Sequence, residues 1–145
     1  DGLMYGLGAT LSPGEGLSML VDYGLNEASE VDAENIQNLA TFIGYKGKKF
    51  SLGAEYNRIW NAKYNKGNDY DGFSFYGTAK LNDKTDLYLR YDECSNGNES
   101  AIIAGLQCKL GKYVKISPNF RMSDKDADGA DDLKYMGYVS CYFGF

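Results

Sequence analysis

Apolar and polar side chains trade places at every second position through nine separate segments of this chain. In "LMYGLGATLS", Leu3, Tyr5, Leu7, Ala9 and Leu11 make one set and Met4, Gly6, Gly8, Thr10 and Ser12 the other. "LSMLVDYGLN" sets Leu17, Met19, Val21, Tyr23 and Leu25 against Ser18, Leu20, Asp22, Gly24 and Asn26. Alternate side chains of an extended strand point to opposite faces, so a period of two predicts strands with different surroundings on each face. The same alternation returns over residues 38–46, 50–59, 73–81, 86–94, 101–110, 114–123 and 134–145. Leu20, Phe42, Ile103 and Met136 fall on the polar side and break the pattern.

The connections sort by length. "PGEG", "GKK", "NDKT" and "GKY" read as tight turns. "EASEVDAENIQ", "RIWNAKYNKGNDYDG", "SNGNES" and "DKDADGADD" read as longer, polar, mostly acidic loops. Short turns at one end and long loops at the other describe an outer-membrane barrel, and strands of about 9–13 residues are near the roughly 9–11 that a tilted strand needs to cross a bilayer. The expected fold is therefore all-β: one domain over residues 1–145, an antiparallel up-and-down transmembrane β-barrel with about nine strands present. Its apolar face would meet lipid, and only a closed barrel satisfies every backbone group of a sheet there. The aromatic residues are expected in two girdles at the interfaces. Tyr5, Tyr23, Tyr56, Phe73, Tyr91 and Tyr135 fall at the long-loop ends, and Tyr45, Phe50, Phe143 and Phe145 at the tight-turn ends.

Composition removes several other functions. The chain has 145 residues, 18 Gly, 2 Pro, 13 Tyr and 7 Phe, a mixture that suits strands and turns. It has no histidine, which excludes Ser–His–Asp and Cys–His catalysis. A net charge of −5 argues against nucleic acid as a partner. Cys94, Cys108 and Cys141 have no metal-ligand spacing. Glu55 and Asp92 have no nucleophile or phosphate loop to work with, so no enzyme is expected.

The half of the chain from about Phe73 onward resembles outer-membrane porins of Bacteroidota and green sulfur bacteria, including the phosphate-selective-porin-like group. The stretches that carry the resemblance are "LYLRYDECSNGNESAIIAGLQCKLGKYVKISPNFR" and "YMGYVSCYFGF". It implies a porin in the bacterial outer membrane, surrounded by its lipid and open to passive diffusion. It also implies that the closing Phe143 and Phe145 serve as the signal read by the barrel-assembly machinery. The three cysteines depart from that group.

A pore's function lies on its inner face. Seven basic residues, Lys46, Lys80, Arg90, Lys109, Lys115, Arg121 and Lys134, fall on that side with four acidic ones, Asp22, Glu55, Asp86 and Asp92, a local excess of +3. Lys46, Glu55, Lys80, Arg90, Asp92, Lys109, Lys115 and Arg121 are the expected pore-lining set, with a mild preference for anions. Lys80 and Asp86 flank one tight turn and are expected to pair. No cofactor is expected. Asp124, Asp126 and Asp128, with Gly129, copy the start of a calcium loop, but Tyr135 stands where the closing Glu belongs, so any Ca2+ at Asp124–Asp132 should bind weakly.

Two readings follow. In one, this chain is the C-terminal portion of a larger porin, with its missing strands upstream or on a partner chain. Nine strands are an odd number, and single-chain barrels have even ones. In the other, a complete eight-stranded barrel starts near Gly14, closed to solutes and structural or adhesive in role.

Overall fold

A computed structural model describes residues 2–95, 99–127, 130–131 and 133–144. The chain folds as an all-β, antiparallel, up-and-down sheet of nine long strands. They are β1 Met4–Gly14, β2 Leu17–Asn26, β3 Ile36–Lys46, β4 Phe50–Trp60, β5 Tyr70–Lys80, β6 Thr85–Cys94, β7 Glu99–Lys109, β8 Val114–Ala127 and β10 Lys134–Phe143. A two-residue strand, β9 Ala130–Asp131, pairs with the end of β8. Each long strand pairs with its sequence neighbours. β2 has β1 on one side and β3 on the other, which leaves it no edge for β10.

The register keeps the two faces apart throughout. Leu11, Met19, Ile43, Ala54, Phe75, Tyr91, Ile102, Met122 and Tyr135 form one continuous row of cross-strand partners. A slip of one residue in any ladder would have mixed the faces. The apolar face stays uncovered: Leu7 is 80% exposed, Leu52 58% and Val139 67%. Among the described residues the buried apolar side chains are Ala62 and Ala101, so the sheet encloses no hydrophobic core. Burial lies instead on the polar face, at Ser74, Ser117, Gly24, Gly44 and Gly53, where neighbouring side chains cover the glycines: Asn38 over Gly24, Phe42 over Gly44 and Tyr76 over Gly53.

Both prolines sit where the ladder lapses. Pro13 lies in the register shift between Leu11 and Gly14, a bulge that absorbs its missing N–H. Pro118 is inside the sheet, and the β7–β8 ladder skips from Gly105↔Asn119 to Cys108↔Ile116 around it. The Asn119 side-chain amide donates to the Ser117 carbonyl beside that gap at 3.0 Å.

Several strands outrun their periodicity. Trp60 and residues 70–72, read from sequence as loop, complete β4 and β5. Residues 124–127 likewise belong to β8 rather than to an acidic loop. β6 and β7 run to Cys94 and Glu99, so the connection between them is as short as the turns at the other end.

Candidate functional site

The polar face is built from residues that alternate with the apolar set. One row of partners crosses it as Ser18, Gly44, Gly53, Tyr76, Arg90, Ile103, Arg121 and Met136. The row on its loop side runs Leu20, Phe42, Glu55, Ser74, Asp92, Ala101, Ser123 and Lys134. All eight expected pore-lining residues fall on this face.

Their charges are partly spent. Arg90 donates from Nε to both carboxylate oxygens of Asp92, at 2.8 and 2.9 Å, and Asp92 also accepts from Ser74 Oγ at 2.6 Å. The two charged residues lie two apart on β6 and so share a face. Lys109 reaches Asp86 at 4.0 Å. The expected Lys80–Asp86 pair is corrected: Lys80 binds Asp83 at 2.9 Å. The register does set Lys80 opposite Asp86, but the turn brings Asp83 nearer. The Lys80 ammonium holds the Asp83 carboxyl below the usual carboxylate range through that hydrogen bond. Among the described residues Arg121, Lys46 and Lys115 have no ion pair within 4 Å and are exposed.

Lys125 also faces this side, paired with Glu99 on β7. Sequence reading missed both because it ended the neighbouring strands early. Asp124 is on the opposite face across from Ser100, and its Oδ1 is buried without a hydrogen-bond donor in the described residues. Asp126 is in β8 opposite Asp131. Asp128, Gly129 and Phe145 lie outside the described residues. Among those described, no three carboxylate or thiol groups gather to hold a metal.

The pattern-breaking Phe42 has a local explanation. Its ring lies over Gly44 and is nearly parallel to that of Tyr76, at 7° and 6.4 Å between centroids. Tyr76 in turn lies over Gly53, where an added Cβ would stand 2.5 Å from its ring, and donates to Glu55 Oε1 at 2.9 Å. Gly44 and Gly53 are cross-strand partners. Two glycines side by side thus make a floor on which two aromatic rings lie flat. One step on, Tyr88 reaches across β7 so that its hydroxyl lies over Gly105 and meets Ser117 Oγ at 3.1 Å.

On the apolar face, aromatic residues frame the band. Tyr45 and Phe50 pack at 5.6 Å at the tight-turn end. At the loop end the Tyr23, Tyr56 and Tyr91 hydroxyls donate to Gln37, Asp71 and Glu93 at 2.8, 2.5 and 2.9 Å. Arg58 sits there too, 3.4 Å from Asp71 and with its guanidinium 5.3 Å from the Trp60 ring centre.

No protein-family model and no curated protein matches the chain.

Proposed function

We propose that this chain forms the wall of an outer-membrane porin, a water-filled pore for small polar solutes with a mild preference for anions. The observation that carries the reading is the uncovered apolar face, nine strands wide, opposite a polar one. In water such a face would have to be buried in a core or an interface; in a bilayer it meets lipid tails. The tyrosine hydroxyls turned toward the loop side suit rings that straddle an interface. Paired Lys109 and Arg90 leave Lys46, Lys115 and Arg121 as the groups that set ion preference. The pairing of β2 on both sides favours a wider pore over an eight-stranded barrel that begins at β2.

Reconstitution of the full-length protein in a planar bilayer tests this. Stepwise ohmic channels with a weakly anion-selective reversal potential at low salt are expected. Absence of channels from protein that shows the heat-dependent gel mobility of a folded barrel would sink the reading.

A further inference from the structure

We propose that the flat aromatic floor of Phe42, Tyr76 and Tyr88 is a binding track for neutral sugars. The inference rests on the porin reading for its access to solute and adds a ligand class to it.

Both tyrosines are half-buried and held at both ends. Each hydroxyl is tied to the wall, Tyr76 to Glu55 on β4 and Tyr88 to Ser117 on β8. The Tyr76 ring passes over Gly53 and the Tyr88 hydroxyl over Gly105, where an added side chain would push each of them away. Tied at one end by Cα and at the other by oxygen, the rings cannot stand up into the lumen. They present a face rather than an edge. Phe42 extends the same surface toward β3.

The rings are half-buried, and the Arg90 guanidinium stands 5.7 Å from the centre of the Tyr76 ring. The part of an aromatic face left open favours the apolar C–H face of a pyranose ring, whose hydroxyls then point sideways toward such a donor. Suitable partners stand in that direction. Tyr76 and Tyr88 line a concavity of about 520 Å³ with Asp86, Arg90, Gln107 and Tyr142. Asp86 and Gln107 are cross-strand partners, so a carboxylate acceptor and an amide donor lie side by side, a match for neighbouring hydroxyls. A few placed polar groups around an aromatic wall are what a small-molecule site requires. The local charges are compensated, Arg90 by Asp92 and Asp86 by Lys109, which suits an uncharged ligand.

The test is saturation-transfer NMR on the full-length protein in detergent micelles, with maltotriose and lactose as probes and sorbitol as the open-chain control. Transfer to the ring C–H protons of at least one sugar, and none to sorbitol, is expected. Tyr76→Leu and Tyr88→Leu should each weaken binding about tenfold, the order that one aromatic face contact supports. Tyr45→Leu, on the opposite face, should leave it unchanged. If the tyrosine variants do not fold, Gln107→Ala, which spares the floor, should weaken binding several-fold. No transfer to either sugar, equal transfer to sorbitol, or binding indifferent to all these floor and rim changes would overturn the track. Bilayer recordings separate the two readings. Channels that conduct but are not blocked by the sugars remove the track and leave the porin. Sugar binding in micelles by a protein that never conducts removes the porin and leaves the site.

Discussion

At the scale of single residues, two arginines that look equivalent in the sequence differ in the fold. Arg90 and Arg121 sit in one row across the polar face, separated by Ile103. Arg90 is chelated by Asp92, whereas Arg121 is exposed without an ion pair among the described residues. In the proposed pore an ion would therefore feel Arg121 as a charge and Arg90 largely as a dipole. Arg121→Gln should shift the reversal potential under a salt gradient toward cations, and Arg90→Gln should change it little. Asp92→Asn should shift it toward anions by releasing Arg90. All three effects should fade above physiological salt, where screening acts within about 8 Å. Equal effects of the two arginine changes would refute this assignment. The pairing was not legible in the sequence, since period two places Arg90 and Asp92 on one face without saying which neighbour each prefers. Phe42 was likewise read as an error in the alternation. Its place became intelligible only once the register brought Gly44 and Gly53 together beneath two rings. Calcium belongs at this scale as well. Asp124 and Asp126 stand on an extended strand, about 7 Å apart along it, not wrapped around a point. Calorimetric titration should find a dissociation constant no tighter than about 1 mM. Micromolar affinity abolished by Asp126→Ala would contradict that.

At the scale of elements, the sequence spoke clearly where a strand has apolar surroundings on one face and fell silent where it does not. The nine strands and their facing are legible because each apolar set must stay on one side. Beyond the loop-side aromatic residues, both faces of a strand are polar, so the alternation ends although the ladder continues. That is why residues 124–127 read as loop and fold as strand. The loops they lead to carry order of their own. Residues 61–69 are clasped to residues 27–35 by Glu34 N–H to the Tyr64 carbonyl at 3.0 Å and by the Asn61 amide to the Asn35 carbonyl at 3.1 Å. Asn61 holds a left-handed backbone at φ 54° and also accepts from Gly67 N–H at 3.1 Å. Asparagine tolerates that conformation better than other side chains. Asn61→Ala removes both side-chain hydrogen bonds and that tolerance, a local cost of about 2 kcal/mol. Trypsin should then cut after Lys63 or Lys66 at least tenfold faster in folded protein, with the melting of the sheet unchanged. Equal cleavage rates would show that the clasp does not depend on Asn61.

At the scale of the whole molecule, the two outer edges of the sheet decide what it can become. β1 enters from the long-loop end, where Met4 pairs with Asn26, and leaves at the turn before Leu17. β10 also runs from the loop end, at Lys134, to the turn end, at Phe143 opposite Val114. The two edge strands therefore point the same way. Joined directly they would form a parallel ladder in an otherwise antiparallel sheet. An antiparallel closure needs an odd number of further strands between them, from this polypeptide or another chain. Leaving the edges open is not an option in lipid, where each unsatisfied backbone group costs several kcal/mol. Nor is it safe in water, where a long edge invites pairing with any other strand. We expect β1 and β10 to be separated in the assembled protein. Single cysteines placed at Leu7, Ala9 or Leu11 can be combined with others at Gly137 or Val139, after Cys94, Cys108 and Cys141 are changed to Ser. Adjacent strands would bring some pair within the roughly 4.4–6.8 Å between Cα atoms that a disulfide spans. Mild oxidation of folded protein in detergent should yield no cross-link within one chain for any combination. Efficient cross-linking of one register-related pair would mean that β1 meets β10 directly, a nine-stranded barrel with one parallel seam. Cross-links between two chains would instead identify a second copy as the occupant of these edges.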